Sequence, residues 1–528
     1  MDNGMVTTLA LVGYLAPLSL VVVAIMAQLN RLRSVDQTFK FGRAVTIGSF
    51  VLSLFLGAIV LSSGPMVSPV LGIGEAGISL RLDALSIVMF WLVTFLGTLL
   101  IQFSRNYLDG DPRQKVFFSR LYLTIAAVLL LVLSGNLGQL TLAWIGTSFA
   151  LHQLLLFYPE RPRAIRAARK KFIIARVADI CLIFAALLIA QSFGTADLGM
   201  IRTAARATLL DGNVPGGVAT AAVLVVCAAC LKSAMFPFHG WLLEVMETPT
   251  PVSALLHAGL LNAGIFLVVR FGELVFLSTP ALIILIVIGG FTAIFASSVM
   301  ITQSSVKVSL AYSSTAHMGF MLMLCGFGAH PVAIIHLIAH SFYKAHAFLS
   351  SGSVIEYVQN TGTQKLDTPP PPANLLANLA ISLAVFLTVA TALGINVTEQ
   401  PGETAVISIF MIAVTYLLVK GNTGKAPTVV IGRTILLGVL VTLAFFGLEL
   451  LGATLLGGAV AIFPTPDTLT LITIILTVIA FGSVTVLSAW LPALVNRPTW
   501  QVFYVHLKNG FYVNALFDRF IQTFRVVR

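Results

Sequence analysis

Three side chains that can exchange protons recur at intervals of four residues in the apolar segment IIHLIAHSFYKAHAFLSSGS. They are His336, His340 and Lys344. A spacing of four places side chains above one another on one face of an α-helix. Imidazole titrates near neutral pH, and a buried lysine can also give up its proton. The row is therefore typical of a proton relay along a water chain, and a purely structural row of polar groups is the alternative.

A second group of charged residues surrounds the segment CLKSAMFPFHGWLLEVMETPTPVSALLHAGLLNAG. Lys232 ends an apolar run, and Pro237 must interrupt the helix within two turns. Helix breaks at membrane depth occur where the backbone is buried in protein or lines a water-filled cavity. His257 follows in the next apolar segment. Asp179, in FIIARVADICLIF, is the expected charge partner of Lys232; a static ion pair that only fixes helix register is the alternative.

Ionisable groups inside apolar segments need an explanation, because a charge at the centre of a bilayer costs about 2.5–3.5 kcal/mol. We expect ion translocation to depend on seven of them: Asp179, Lys232, His257, Lys307, His336, His340 and Lys344. Pro237 is the expected helix break, and supporting roles are expected for Arg176, His239 and Glu244.

The elements that hold these residues must be membrane helices. Of the 528 residues, 58% are hydrophobic and 10% are charged, and the mean hydropathy is +0.98. About fifteen apolar stretches of the length that a bilayer requires fit between Thr7 and Leu491. Backbone amides in hydrocarbon must be satisfied internally, and runs of this length favour helices over the short alternating strands of outer-membrane barrels. The expected fold is an all-α polytopic membrane protein with about 14–15 transmembrane helices.

The net charge of +11 would indicate nucleic-acid binding in a soluble protein, but its distribution indicates membrane topology instead. If the apolar stretches cross the membrane in turn, one side receives most of the basic residues. The lysines and arginines that it does not receive are Arg81, Arg202, Arg206, Lys232, Arg270 and Lys344. The positive-inside rule places the basic side in the cytoplasm of a bacterial cell, with a periplasmic N-terminus, a cytoplasmic C-terminus and no removable signal peptide. No nucleic-acid partner is expected.

Three segments outside the spans are distinctive. The basic stretch PERPRAIRAARKKFIIAR, residues 159–176, is expected to be a loop that orients the chain and contacts lipid, with docking to an acidic partner as the alternative. DTPPPPAN, residues 367–374, is expected to be a stiff linker. Residues 498–528 mix aromatic, aliphatic and basic residues, as in an interfacial amphipathic helix or a partner-binding tail.

The segments that hold these residues resemble the antiporter-like membrane subunits of respiratory complex I and of multisubunit cation/proton antiporters. The resemblance covers most of residues 83–356. It is carried by LRLDALSIVM, FSRNYLDGDP, LSGNLGQLTLAW, KSAMFPFHGWLLEVMETPTPVSALLHA, VKVSLAYSSTAHMGFM and HLIAHSFYKAHAFLSSGSVI. It implies two inverted helical repeats, each with a broken helix and a central lysine, here Lys232 and Lys344.

The resemblance also suggests a domain organisation. N-terminal helices would occupy residues 1–115, a first repeat 116–277 and a second repeat 278–425. C-terminal helices would occupy 426–497, and an amphipathic cytoplasmic tail 498–528.

The sequence departs from the general family pattern at two places. The family usually has a glutamate directly after the tryptophan of the LxxxW segment, but Ile145 follows Trp144 here. The later broken helix of the family normally carries a buried lysine or glutamate, but residues 374–393 contain no ionisable side chain. These departures argue against a standard antiporter or a redox-linked complex I subunit.

The stretch AWIGTSFALHQLLLFYPERPRAIRAARKKFIIARVAD is similar to one branch of the family, the membrane subunits of DAB inorganic-carbon accumulation complexes. That resemblance implies a large peripheral partner with a zinc-dependent, carbonic-anhydrase-like site that carries the hydration chemistry. This chain would then be no enzyme and hold no cofactor or metal. It would move protons or sodium ions and so energise CO2 and bicarbonate accumulation. The alternative is a subunit of a cation/proton antiporter or of a respiratory NADH dehydrogenase.

Overall fold

A computed structural model describes residues 8–72, 77–352, 371–394, 400–421, 428–494 and 497–523. In these ranges the chain is almost entirely helical. The helices are α1 (Leu15–Gln28), α2 (Val35–Ser63), α3 (Ala84–Tyr107), α4 (Gln114–Val132), α5 (Leu137–Leu155), α6 (Pro162–Phe193), α7 (Leu198–Asp211), α8 (Val218–Lys232), α9 (Gly240–Glu244), α10 (Thr250–Ala258), α11 (Ala263–Arg270), α12 (Gly272–Phe276), α13 (Thr279–Met300), α14 (Val306–Gly326), α15 (His330–Leu349), α16 (Pro372–Ala392), α17 (Pro401–Gly421), α18 (Thr428–Leu456), α19 (Thr468–Leu494), α20 (Pro498–Lys508) and α21 (Val513–Thr523).

Among the described residues, thirteen helical stretches are long and apolar enough to cross a membrane. Two further expected spans, those beginning near Leu137 and Gly217, correspond to α5 and to the short apolar helix α8. The expected class, an all-α polytopic membrane protein, is confirmed. A hairpin of two short antiparallel strands, β1 (Met66–Val67) and β2 (Arg81–Leu82), connects α2 to α3.

Local sequence signals fix several helix starts near the site. The side chains of Asp83 and Asn136 accept hydrogen bonds from the backbone N–H groups of Ser86 and Gln139, at 2.9 and 2.8 Å. Each such cap satisfies a donor that the first helical turn leaves without an intrahelical partner. These caps set the entry points of α3 and α5, the helices that pack beside the candidate site.

Two apolar helices are interrupted. The first break lies between α8 and α9, where α8 ends at Lys232 and the chain passes through Pro237, which follows a cis peptide bond. The second break lies between α10 and α11, at a short 3-10 turn, Leu260–Asn262, that follows Gly259. The expected discontinuous helices are therefore present, and both breaks adjoin candidate site residues.

The helices α13 and α14 approach each other unusually closely. A Cβ atom at Gly289 would lie only 2.7 Å from the backbone oxygen of Gly319. A Cβ atom at Gly319 would lie equally close to the backbone oxygen of Gly289. Small residues at such crossings allow membrane helices to pack backbone against backbone. This packing fixes α14, which carries His317 into the site.

Two expectations about the segments outside the spans need correction or restriction. The basic stretch 159–176 is no loop, because α6 begins at Pro162 and includes most of it, and Lys170 and Lys171 are buried. Contact with lipid is therefore wrong for these two lysines. Much of the proline-rich segment lies outside the described residues, as do residues 524–528 of the tail.

Candidate ion-translocation site

Lys232 lies at the end of the broken helix α8 and contacts α5. Its ammonium group donates to Oγ1 of Thr147 at 2.9 Å and to the backbone oxygen of Trp144 at 3.3 Å. The same ammonium lies 4.3 Å from the centre of the Trp144 ring, a cation–π contact. The helix break thus places a cation inside the bundle against neutral oxygen atoms and an aromatic face.

Asp179 does not form the expected ion pair with Lys232. Its carboxylate lies 2.6 Å from the guanidinium of Arg176, one turn earlier on α6, although its charge still interacts electrostatically with that of Lys232. The Arg176 guanidinium also lies over the rings of Phe149 and Phe172. The reason is local, because residues three apart on one helix face each other whatever the tertiary packing.

Lys171, which sequence reasoning did not select, completes this group of charges. Its side chain is 4% exposed, and its ammonium donates to the backbone oxygen of Ser148 at 2.7 Å. A cavity of about 20 Å³ is lined by both Lys171 and Lys232. A space of this size can hold a single water molecule. We call Lys171, Arg176, Asp179 and Lys232 the lysine cluster.

The predicted row on α15 meets a histidine from α14. Nδ1 of His317 lies 2.9 Å from Nε2 of His336, so that one ring can donate to the other, and the ring of His317 lies 5.0 Å from that of His340. Lys344 donates to the backbone oxygen of Leu310 at 3.1 Å. His317 is thus inserted between the two histidines, which are a full helical turn apart. The row on one helix becomes continuous only because a second helix supplies this ring.

His257 extends the row towards the second helix break. Its ring stacks on Phe348 at 4.3 Å, and its charged form would interact with Lys344. Neither ring nitrogen of His257 or of His340 has a hydrogen-bond partner among the described residues. We call His257, Lys344, His340, His317 and His336 the histidine row.

Polar side chains and a small cavity lie between the lysine cluster and the histidine row. Asn262, in the turn after Gly259, donates to Oγ of Ser341 at 2.8 Å, between His340 and Lys344 on α15. A cavity of about 30 Å³ is lined by Thr147, which binds Lys232, and by Asn262. Most of the lining of this cavity is apolar, and Thr147 and Asn262 are its two polar side chains.

The remaining expected residues lie at the end of the bundle that carries most basic residues. Lys307, in the first turn of α14, lies 3.4 Å from Oγ1 of Thr250, where α10 begins. His239 is buried and packs its ring against Phe295. Glu244, just after the helix break, accepts hydrogen bonds from the ammonium of Lys170 and from Nδ2 of Asn514 in the C-terminal tail.

A separate buried ion pair lies at the opposite end of the bundle. Both oxygens of Asp83 accept from the guanidinium of Arg270, at 2.5 and 3.2 Å, and Arg81 also donates to this carboxylate at 2.8 Å. Burial alone would raise the pKa of Asp83, but the two arginines hold it well below its usual range. Arg270 thus has a fixed acidic partner between α3 and α11. The pair joins helices and contacts neither group of site residues.

No three His, Cys, Asp or Glu side chains in the described part of the chain form a group that could hold a metal ion. The four cysteines are free thiols. The geometry of the histidine row suits proton exchange, because its titratable groups follow one another without a carboxylate among them.

Comparison with known proteins assigns the chain to a family. The family model "NADH:quinone oxidoreductase/Mrp antiporter, TM" matches residues 134–419, more than half of the chain. The chain belongs to this family of membrane subunits. A second model, for the N-terminus of complex I chain 5, matches residues 71–118. The lysine cluster and the histidine row both lie within the first match.

Relatives at similar identity fall into two groups. The chain is 38% identical to the probable inorganic carbon transporter subunit DabB2 of Halothiobacillus neapolitanus, over 85% of this chain and 81% of the relative. It is 35% identical to the probable inorganic carbon transporter subunit DabB of Hydrogenovibrio crunogenus, over 79% of this chain and 78% of the relative. It is 37% identical to subunit L of the NADH-quinone oxidoreductase of Escherichia coli, over 53% of this chain and 45% of that subunit. The inorganic carbon transporter subunits therefore match over more of their length.

Solved structures agree with the fold. A chain of the Mrp complex from Dietzia sp. DQ12-45-1b matches with a TM-score of 0.57 and 24% identity, over 96% of this chain and 55% of that longer chain. A chain of an archaeal membrane-bound sulfane sulfur reductase matches with a TM-score of 0.59 and 16% identity, over 96% and 99%. At these identities the likeness concerns the fold alone.

Proposed function

We propose that this chain is the proton-translocating membrane subunit of a complex that accumulates inorganic carbon. The observation that carries the proposal is the histidine row, in which five titratable side chains from α10, α14 and α15 follow one another without a carboxylate among them. Buried ionisable groups in membrane segments are expensive and are retained for function. Free ring nitrogens on His257 and His340 leave room for proton exchange.

In this proposal the lysine cluster senses each proton that passes along the row. Among the described residues, no carboxylate is paired with His340 or Lys344, so the field of a proton added there acts on the cations of the cluster. Thr147, which binds Lys232, and Asn262, which binds Ser341 between His340 and Lys344, line the same cavity. The Lys232 end of the broken helix α8 is the element that such a field would bias, and Glu244 on α9 would carry the change to the C-terminal tail.

The inorganic carbon part of the proposal is supported by the relatives that match over most of their length. It is also supported by Ile145, because the position after Trp144 carries no carboxylate here. The partner in this proposal is a large peripheral zinc-dependent subunit of the carbonic-anhydrase type, which would carry out hydration of CO2. The complex would lie in a bacterial inner membrane, with the N-terminus in the periplasm and the basic end of the bundle in the cytoplasm.

The domain organisation follows the same proposal. The first repeat, residues 116–277, would contain the lysine cluster and His257, and the second repeat, residues 278–425, would contain the remainder of the histidine row.

The first experiment is to tag the chain, extract it gently from its native membrane and identify the proteins that co-purify, together with their zinc content. A stoichiometric large zinc protein that hydrates CO2 is the expected result. Co-purification with respiratory dehydrogenase subunits or with further antiporter subunits would overturn the inorganic carbon assignment. Those outcomes would support the alternative function, a subunit of a cation/proton antiporter or of a respiratory NADH dehydrogenase.

A further inference from the structure

A large cavity lies at the far end of the histidine row. Its volume is about 620 Å³, and its walls come from α13, α14, α15, α17, α18 and α19. Most of its lining is apolar, but three titratable side chains are part of it: His317 of α14, His336 of α15 and Glu449 of α18. At roughly 30 Å³ per water molecule, the cavity has room for on the order of 20 waters.

Glu449 has no evident structural reason to be there. It interrupts the apolar segment TILLGVLVTLAFFGLELLGATLL, where a carboxylate is expensive. Its carboxylate has no hydrogen bond or ion pair with any residue that the structure describes. The charge that acts on it is another carboxylate, that of Glu403 in the first turn of α17. Repulsion from a like charge is the opposite of what a static helix-joining ion pair requires.

The position of Glu449 also separates it from everything assigned above. It lies beyond residue 419, where the family model ends, and outside both groups of site residues. The neighbouring helix α16 carries no ionisable side chain. The only titratable groups that line the cavity with it, among the described residues, are the two histidines that end the row.

We propose that Glu449 is the terminal proton-binding group of the path, and that water in the cavity connects it to His336. A proton leaves the imidazolium of His336, passes along hydrogen-bonded water and converts the Glu449 carboxylate to the carboxylic acid. His336 becomes neutral again, and the water chain is restored when Glu449 releases the proton. The proposal rests on the proposed function, because it requires that protons move along the histidine row.

The proposal also gives the path a direction. Glu449 lies near the end of α18, on the same side of the bundle as the first turns of α15 and α17, where His330 and Glu403 stand. The opposite ends of these helices carry the basic residues Lys420 and Arg433. Glu449 therefore exchanges protons with the membrane face opposite to the basic one.

The test uses the whole complex, purified and reconstituted into liposomes, with dicyclohexylcarbodiimide as the probe. This reagent modifies protonated carboxylic acids in apolar surroundings, and peptide mass spectrometry identifies the modified residue. We expect modification at Glu449 and a parallel loss of proton flux. Glu449→Gln is expected to resist modification and to lower flux at least about tenfold, because a positioned proton-transfer group contributes ~10²–10⁴-fold. Glu449→Asp keeps a carboxylate and is expected to retain most of the flux.

A matched control is Leu450→Gln, which introduces the same amide one position further along α18, where the side chain is 61% exposed. Flux within about twofold of the wild type is expected there, since that residue is not among those that line the cavity. If the wild-type complex conducts protons and Glu449→Gln conducts as well as it does, the role of Glu449 is wrong while the proposed function stands. An unmodified Glu449 in a conducting complex overturns the proposal too, even if the glutamine variant does not fold. If the wild-type complex itself conducts no protons, the proposed function fails first, and this proposal with it.

Discussion

The lysine cluster and the histidine row are both buried and titratable, but they differ in how their charges are held. In the cluster, Lys232 and Lys171 donate to oxygen atoms of α5, and Asp179 is paired with Arg176. In the row, Lys344 donates to the backbone oxygen of Leu310 and His317 contacts His336, but His257 and His340 have ring nitrogens without a partner among the described residues. Fixed partners hold a charge in place, whereas titratable groups without them can exchange protons. In the proposed function, the row therefore conducts protons and the cluster responds to them.

Exchange of lysine for arginine separates these two roles most strongly. Arginine keeps its charge but cannot release a proton in proteins. We therefore expect Lys344→Arg to lower proton flux about 100-fold or more, as Lys344→Ala does, since the relay is lost. Lys232→Arg retains a cation beside Trp144 and should lower flux only about tenfold. The flux of Lys232→Ala should be well below that of Lys232→Arg. Flux is measured in liposomes that contain the purified complex.

The control for these variants is His346→Ala, which removes an exposed imidazole from the same helix α15. It should leave flux unchanged. Equal losses in Lys232→Arg and Lys344→Arg would remove the distinction between the two groups, and wild-type flux in both alanine variants would exclude a relay.

Interruption of the row at His340 is expected to have the next largest effect on proton flux. His340→Phe keeps a ring of similar size but removes both nitrogens beside His317, so proton flux should fall at least about tenfold. His330→Phe is the matched control, since His330 is also buried at the start of α15 but stacks on Phe276 outside the row. Similar losses in both variants would mean that packing, and not proton exchange, explains the effect.

A smaller effect on proton flux is expected from a change at Thr147, which binds Lys232. Thr147→Val removes the hydroxyl that accepts a hydrogen bond from Lys232 and leaves the side-chain volume nearly unchanged. One such bond contributes about 0.5–1.5 kcal/mol, so flux should fall by no more than about tenfold. Thr141→Val, on the same helix, tests the loss of a hydroxyl that does not bind Lys232 and should have no effect. A Thr147 variant as inactive as Lys232→Ala would assign Thr147 a direct place in the path.

The Asp83–Arg270 pair should have the smallest effect on flux, because it joins helices away from both groups. Arg270→Met leaves a buried carboxylate with only Arg81 beside it, and the free energy of unfolding should fall by about 3–5 kcal/mol. Flux per folded complex should be unchanged. Thermal unfolding in detergent, compared with flux normalised to folded protein, checks both statements, and a lower normalised flux would place Arg270 in the path.

The pH dependence of this pair follows from the lowered pKa of Asp83. A carboxylate whose pKa is lower when folded contributes stability at every pH above the pKa of the unfolded chain, which for aspartate is about 4. The destabilisation caused by Asp83→Asn should therefore be constant between about pH 5 and pH 8 and become smaller as the pH falls below about 4. Unfolding temperatures of the two proteins over this range provide the measurement. A cost that varies between pH 5 and 8 would contradict a permanently ionised Asp83.

The sequence was most informative where residues lie close together on one helix. The i, i+4 spacing of His336, His340 and Lys344 was sufficient to place them on one face of α15, and Pro237 was sufficient to end α8 early. It was misleading for Asp179, because the expected partner lay on another helix and Arg176 lay one turn away. The basic stretch 159–176 has the composition of a loop, and nothing in that composition distinguishes the buried Lys170 and Lys171 from the exposed arginines around them.

The sequence by itself determined that the chain is a bundle of membrane helices and which family it resembles. It also determined that one helix is broken before Pro237 and that another, α15, carries a row of titratable side chains. These properties follow from composition, from helical periodicity and from proline, all of which act locally. Only the tertiary structure decided that His317 enters the row, that Lys171 lines a cavity with Lys232, and that Glu449 lines one large cavity with His336. These contacts join helices far apart in the chain, and their geometry depends on how small residues such as Gly289 and Gly319 let those helices approach.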